Sequence, residues 1–552
     1  MAATGTGTGT ELWDLLLRGR SRGVLHHWDG EGFGHTPWRE VVREAHGMAA
    51  MLRAAGVRPG SRVATVLTNS AHTVRGLLAV WLAGGTVASF PLPARGQTPE
   101  EYGSQLTRLT ERLDATVLLT DETIAPMVPA GLAARLPVRS WTSLYGGGHI
   151  DPSPPGPEET AFVQYSSGST SVPKGCALTS RAIATHLHML YDLADGRVGD
   201  ETIVSWLPLS HDMGIFGTLL NAWAFDYDFV LSSPERFGMA PRTWFRDMSE
   251  FGATMSAGTN TALHLAARAQ GRTPLPKPLA LKVFVVGAER VDAATLETTM
   301  AAFGPSGLSR AAFMPAYGMA EATLAVSSSR TWLEPSTRSF DGAGLMAGEI
   351  TEVPDGTPGA TRLVSNGPPL PGVTVTTQEP GRVSQLLVSS PSLASGYLGD
   401  PVQTAERFRD GVLHTGDLGF VHEGEVYFVG RADDLISVGG RNVYTSEIES
   451  AVESLGSVRT GCSALVDVAD GGVSRLVLLL EPRRRSDDFH LIADRAAAVA
   501  REKSGIALAE CVFVERGHLP RTPSGKVQRF RCRAALRPGG DAIKTLARVL
   551  LG

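Results

Sequence analysis

The sequence predicts an α/β protein built on mostly parallel sheets. Short apolar strand patterns alternate with helix-like stretches from Leu12 onward, as crossover-linked parallel strands require. The chain has 552 residues, more than one ordinary core supports, so two or more domains are expected. Apolar residues make up 43%, enough to bury whole sheets.

The elements follow in order. Trp38 to Ala55 reads as an amphipathic helix stopped by Val57-Arg-Pro-Gly60, and Arg62 to Leu67 as a strand. Ala71 to Ala83 is a Leu- and Ala-rich helix broken by Gly84-Gly85. Thr86 to Phe90 and Ala115 to Thr120 are further strands. Asp151-Pro-Ser-Pro-Pro-Gly-Pro157 is a stiff linker. It delivers the chain to a strand, Ala161 to Tyr165, then a loop, Ser166-Ser-Gly-Ser-Thr-Ser-Val-Pro-Lys-Gly175, then a helix from about Ser180 to Leu193.

That loop has the chemistry of an anion cradle. Gly168 lets backbone amides approach, Ser166, Ser167, Ser169 and Thr170 add hydroxyl donors, and Lys174 adds a charge. Lys174 follows Pro and precedes Gly, so the loop is not the Gly-Lys-[Ser/Thr] phosphate loop. A solvated polar turn is the alternative.

Thr202 to Leu207 is a strand running into Pro208-Leu-Ser-His-Asp-Met-Gly214. A histidine at the C-terminal end of such a strand faces the usual ligand crevice, or is satisfied within a turn. Phe251 to Asn260 reads as strand then loop, and Lys282 to Glu289 as a buried strand ending in Gly-Ala-Glu. Ser339 to Pro371 lacks periodicity and is rich in turns. Gly411 to Asp434 reads as a hairpin turning at His422-Glu-Gly424. Beyond it come a helix from near Thr445, strands on either side of Asp470-Gly-Gly472, a helix from Phe489 to Lys503, and a strand from Cys511 to Glu515.

Composition narrows the function classes. A net charge of −5 argues against a nucleic-acid protein. No apolar run reaches the 18 or so residues of a membrane span. The Gly-x-Gly repeats before Thr10 follow no strand and read as a tail, neither a dinucleotide fingerprint nor a secretion signal. The four cysteines are scattered with no Cys-x-x-Cys pair, so a reducing cytoplasm is the expected home.

Taken together, the loop at 165–175, Leu207-Pro-Leu-Ser-His-Asp-Met-Gly214, Gly287-Ala-Glu289, Met314-Pro-Ala-Tyr-Gly-Met-Ala-Glu-Ala-Thr323, the Asp417 to Arg431 hairpin and Leu519-Pro-Arg-Thr-Pro-Ser-Gly-Lys-Val-Gln-Arg529 resemble, in order, the motifs of the adenylate-forming superfamily. That superfamily holds acyl-CoA synthetases, nonribosomal peptide adenylation domains, luciferases and fatty acyl-AMP ligases. The resemblance covers nearly the whole chain. It implies a large multi-layer N-terminal domain of mostly parallel sheets with a β-barrel-like subdomain (1–430), a hinge (431–433) and a small mobile α+β C-terminal domain (434–552). The loop departs from the family pattern at Ser171, where glycine is usual, so the backbone is stiffer there.

The resemblance also implies roles. The loop would bind the ATP phosphates, and Gly287, Ala288, Glu289, Tyr317, Gly318 and Met319 the adenine. Asp417, Phe428 and Arg431 would serve ribose and phosphate, and Glu321 would coordinate Mg²⁺. His211 would orient the reacting groups beside Lys526, the catalytic lysine. Met213, Gly214, Ser256 and Gly258 would line the acyl pocket, and Asp433 would mark the hinge. The implied reaction activates a carboxylic acid, expected to be a fatty acid, with ATP to acyl-AMP, then transfers the acyl group to the phosphopantetheine arm of an acyl carrier protein. The His-Asp-Met-Gly string and the turn-rich segment 339–371, which resembles an insertion of the fatty acyl-AMP ligases, favour that group. The alternatives are an acyl-CoA ligase using CoA, a stand-alone amino-acid adenylation enzyme, and a silent nucleotide-binding scaffold.

Overall fold

The computed structural model describes residues 11–17, 22–93, 97–165, 173–197, 199–271, 273–432, 435–438, 441–470, 473–504, 506–521, 527–536 and 543–551. Two large sheets form its body. One has eight strands in the order Ala325–Ser328, Phe313–Gly318, Val283–Val286, Met255–Gly258, Thr202–Ser205, Asp228–Leu231, Val24–Trp28 and Phe33–Pro37. The other has six: Val138–Ser140, Val117–Thr120, Arg62–Val66, Thr86–Phe90, Thr160–Tyr165 and Gly175–Thr179. Only the edge pairs Phe313–Gly318 with Ala325–Ser328, Val24–Trp28 with Phe33–Pro37, and Thr160–Tyr165 with Gly175–Thr179 are antiparallel. The expected parallel sheets are therefore present.

Helices fill the space between the sheets. Ala71–Leu82 is buried on nearly every face, so its Leu- and Ala-rich sequence shows little amphipathic contrast. Ser70 accepts the Thr73 N–H and starts it. One continuous core joins Val63, Val87 and Phe162 of one sheet to Leu25, Ile203 and Phe229 of the other through Leu78, Ile183, Leu187 and Phe216. After His211 the chain winds as a π-helix, Met213–Leu220, a wider turn that recurs at functional sites.

A five-stranded antiparallel sheet follows, made of Thr374–Thr377, Ser384–Ser389, Phe408–Arg409, Val412–His422 and Glu425–Arg431. The expected hairpin at His422-Glu-Gly424 is there, with His422 paired to Glu425. The last part of the chain adds the hairpin Leu435–Val438 and Arg441–Tyr444. It also adds a four-stranded sheet of Val458–Asp470, Val473–Pro482, Glu510–Val514 and Thr545–Leu550. The helices Thr445–Ser454 and Phe489–Ser504 contribute to its core.

Two stretches differ from the sequence reading. Phe251 to Asn260 is not strand then loop. Phe251 ends the helix Arg242–Phe251, Gly252 closes that helix at φ +64°, and Met255–Gly258 is the strand. Asn260 opens the helix Asn260–Ala269, whose Ala262 N–H is accepted by Thr259 Oγ1 at 3.1 Å. Three elements in so few residues leave none long enough to show its period. Ser339 to Pro371 is more ordered than its turns suggest. Thr337–Asp341 pairs with Ala360–Val364 across a short helix, Gly342–Met346. Phe340, Leu345 and Leu363 are buried there against Phe420, Tyr427 and Val429, so tertiary packing rather than local pattern makes the strands.

Candidate active site

The C-terminal ends of the parallel strands open on a cavity of about 1300 Å³. This is where ligands bind in open α/β sheets. The eight-stranded sheet, the helix Ser180–Leu193, the π-helix, the antiparallel sheet and residues of the last domain all reach its wall.

The nucleotide end is held by a polar triad in which Tyr317 and Asp417 are buried. Tyr317 Oη donates to Asp417 Oδ2 at 2.9 Å, and Arg431 Nε donates to Asp417 Oδ1 at 3.1 Å. Burial and the Asp417 charge push the Tyr317 phenol well above its ordinary value, so it stays a donor. Its ring stacks on Phe428, centroids 5.8 Å apart and planes 21° from parallel. Gly318 has a steric reason: an added Cβ would sit 2.0 Å from Leu324 O.

The Gly287-Ala-Glu289 turn lies beside Tyr317, at the end of the neighbouring strand. Gly287 N donates to Gly258 O at 3.1 Å. Ala288 takes φ +65°, an unfavourable conformation for a residue with a Cβ, of the kind that collects at ligand clamps. The Glu289 carboxylate accepts from both the backbone N–H and the Oγ1 of Thr261, completing the first turn of the helix Asn260–Ala269. Met319 also lines the cavity.

At the reacting end, His211 Nδ1 lies 2.6 Å from Asp212 Oδ1, and both line the cavity. That contact commits Nδ1 and leaves Nε2 as the other polar atom of the ring. Glu321 Oε1 accepts from Tyr397 Oη at 2.7 Å. Lys174 Nζ donates to Gln403 Oε1 at 2.7 Å and stands 5.2 Å from the centre of the Tyr397 ring. No group of three or more His, Cys, Asp or Glu gathers among the described residues. The donor set suits Mg²⁺, which keeps most of its waters and binds through one or two carboxylates and substrate phosphates.

Of the expected acyl-pocket residues, Met213 and Ser256 are on the wall. Ser256 Oγ is occupied, donating to Val204 O at 2.7 Å and accepting from Trp244 Nε1 at 3.0 Å. Gly214 and Gly258 stand behind the wall. A Cβ on Gly214 would meet Pro208 O at 2.1 Å, and one on Gly258 would meet the Trp244 ring at 2.3 Å. These glycines serve close packing rather than open space for a chain. Ser166, Ser167, Gly168, Ser169, Thr170, Ser171, Asp433 and Lys526 lie outside the described residues.

Some supporting residues escaped the sequence reading. Gln164 Nε2 donates to Ser210 O at 2.8 Å and ties the strand before the loop to the segment before His211. A lone polar residue in a buried strand was its signal. Asn69 braces the same segment, donating to Leu207 O at 2.9 Å and accepting from Leu209 N at 3.0 Å. It stands just before a helix, where asparagine is too common to single out. Tyr397, between Gly396 and Leu398, carried no local signal.

This arrangement of sheets, cavity and polar triad coincides with a known family. The model of the AMP-binding enzyme family matches residues 24–398. The chain belongs to that family. Among its relatives are two long-chain-fatty-acid–AMP ligases. FadD32 of Mycolicibacterium smegmatis is 31% identical over 71% of this chain and 70% of its own. FadD26 of Mycobacterium bovis is 30% identical over 93% of both. A solved structure from work on fatty acyl-adenylate ligases of E. coli and L. pneumophila superposes with a TM-score of 0.87 at 25% identity, covering 95% of this chain and 97% of that one. The fold expected from the sequence is thus the fold found. Among the described residues no helix is long and apolar enough to cross a membrane.

Proposed function

We propose that this enzyme joins a fatty acid to ATP as fatty acyl-AMP, releasing pyrophosphate, and then passes the acyl group to the phosphopantetheine thiol of an acyl carrier protein. The observation that carries this reading is a cavity whose lining includes both the Tyr317–Asp417–Arg431 triad and the apolar side chains of Leu190, Met213, Met255 and Val283. One end is suited to a nucleotide, the other to an apolar chain. The fatty-acid–AMP ligase relatives agree with it.

In the first step a carboxylate oxygen attacks the α-phosphorus, and the bond from that phosphorus to the pyrophosphate oxygen breaks. Two anions must meet in line, so alignment and charge neutralisation are the main tasks. Asp417 accepts the ribose hydroxyls, held by Tyr317 and Arg431. His211, on the cavity wall, orients the carboxylate. Lys526 bridges the carboxylate and the α-phosphate, and residues 166–174 hold the departing pyrophosphate. Glu321 would hold Mg²⁺, which would neutralise phosphate charge. In the second step the thiol sulfur attacks the acyl carbon, AMP departs with the bonding pair, and the thiol proton is released. Lys526 must leave for this, which is the reason for a separate domain on a hinge at 431–433. The short helix Gly342–Met346 of the expected insertion touches the last domain, Met346 packing on its core.

The test is acid-dependent ATP–pyrophosphate exchange over fatty acids of varied length, followed by mass spectrometry with a pantetheinylated carrier protein and CoA side by side. Lys526→Ala is expected to lower exchange by about 100-fold or more, while preformed acyl-AMP is still consumed by the carrier. Absence of exchange with every acid would remove the proposal, and transfer to CoA alone would reassign the acceptor.

A further inference from the structure

Neighbouring stretches of backbone build the cavity wall beside Tyr317. Gly287 follows the strand Val283–Val286, and a Cβ added to it would sit 3.3 Å from Ala316 O. Ala316 pairs with Ser328 at the antiparallel edge of the eight-stranded sheet. Ser328 N donates to Pro368 O at 3.2 Å, and a Cβ on Gly367 would meet Ser328 C at 2.0 Å. Asn366 N in turn donates to Val426 O at 2.8 Å, two residues before Phe428. Gly287, Ala316, Ser328, Asn366 and Phe428 all line the cavity.

Gly287, Ala316 and Ser328 are small, so a flat group can lie against this wall near the Tyr317 and Phe428 rings. Asn366 is the large polar side chain among them. Its Oδ1 accepts the Phe428 N–H at 3.2 Å, which settles the orientation of the amide. Nδ2 is therefore the end of the amide left to the cavity. No hydrogen bond among the described residues uses it, and it is not sealed in the interior as Gln164 Oε1 is. A largely buried donor without an acceptor costs free energy, and Asn366 is only 6% exposed. The chemistry of the missing acceptor is narrow. Phosphate oxygens call for cations, and the ribose hydroxyls have Asp417 to receive their protons. The ring nitrogens of a purine are neutral acceptors lying in the plane of the base, where a donor at the edge of a flat group meets them.

We propose that Asn366 Nδ2 donates to a ring nitrogen of the adenine and so makes Asn366 a specificity-determining residue for the nucleotide. The proposal rests on the reading of this end of the cavity as the nucleotide's, and adds a contact that tells one base edge from another. The Phe428 N–H is then what aims the amide, through Oδ1.

Acid-dependent pyrophosphate release tests this with ATP and its 1-deaza, 3-deaza and 7-deaza analogues, each of which replaces one ring nitrogen by C–H. One analogue is expected to show a kcat/KM at least about fivefold below that of ATP. Asn366→Asp keeps an oxygen for the Phe428 N–H and replaces the donor by an acceptor. It is expected to bring the ratio of ATP to that analogue to one or below. Should the aspartate variant not fold, Asn366→Ala carries the same comparison. Calorimetric binding of the four nucleotides without any acid reads the same ratios, so failure of every fatty acid to support release would remove the acid reading and leave this comparison standing. Equal use of all four nucleotides by the native chain would mean that Nδ2 meets only water and would overturn the proposal. A difference that survives both substitutions would overturn the assignment to Asn366. Binding of none of the four would remove both this inference and the nucleotide end beneath it.

Discussion

His186 and Tyr397 show how much of this site depends on side chains that hold other groups of the site in place. His186 is fully buried; its Nε2 accepts the Ala325 N–H at 3.1 Å, so Nδ1 carries the proton and donates to Ser392 Oγ at 3.1 Å. Ser392 Oγ in turn donates to Ala322 O at 3.2 Å. The neutral imidazole thus holds the chain just after Glu321, at Ala325 directly and at Ala322 through Ser392. Burial lowers its pKa from 6.5 to about 3. The folded form resists the proton that the unfolded chain accepts, so the stability His186 gives is whole above about pH 6.5 and is lost as pH falls toward 3, by up to about 5 kcal/mol. Urea denaturation from pH 7 to pH 4 is expected to show a steeper loss for the native chain than for His186→Gln; parallel slopes would refute this role. Tyr397 acts at the same turn through its bond to Glu321. Tyr397→Phe keeps the ring beneath Lys174 and removes only that bond, so the Mg²⁺ concentration for half-maximal activity should rise roughly tenfold with little change in Tm. An unchanged Mg²⁺ requirement would make the bond incidental.

At the scale of elements, the sequence was most legible where one element is long and bounded by strong signals. Ala71–Leu82, Ser180–Leu193 and the hairpin at 412–431 emerge nearly as read, because Gly84-Gly85 and His422-Glu-Gly424 mark their limits. Phe251 to Asn260 was misread because its strand is four residues long and squeezed between two helices. The π-helix left no trace in the sequence, since one extra residue per turn does not alter a short apolar run such as Met213–Leu220. Most of the described motif residues line one cavity, but two of the four proposed acyl residues, Gly214 and Gly258, stand behind its wall. Gly258 is instead where the Trp244 indole crosses the strand, and the same indole donates to Ser256 Oγ. Gly258→Ala should therefore displace Trp244, break that bond, and cost about 1–3 kcal/mol. Thermal denaturation checks this. A Tm within a degree or so of the native value would mean the ring yields freely.

For the whole molecule, the two ends of the chain should answer to pH in opposite directions. The last domain has its own cores: Ile448, Leu465, Leu478, Ala496 and Phe513 on one side of its sheet, and Val466, Val477, Val512 and Cys532 on the other. Its seam with the larger body includes Thr460 Oγ1, 3.2 Å from His264 Nε2. Beside that contact Glu453 accepts from Gly461 N, Ser463 N and Ser463 Oγ. Those bonds favour the carboxylate, yet burial outweighs them, and its pKa rises from 4.5 to about 7. Here the folded form holds the proton more tightly than the unfolded one. The stability Glu453 gives is whole below about pH 4.5 and is lost as pH rises to 7, by about 3 kcal/mol at most. His186 works the other way in the larger body. If residues 434–552 are a domain on a hinge, calorimetry from pH 4 to pH 8 should resolve two transitions, that of the larger body rising with pH and that of the smaller one falling. Glu453→Gln should flatten only the second. A single transition at every pH, moved as a whole by both His186→Gln and Glu453→Gln, would mean that the insertion contact at Met346 and the Thr460–His264 seam weld the chain into one cooperative unit, and the hinged transfer step would lose its mechanical basis.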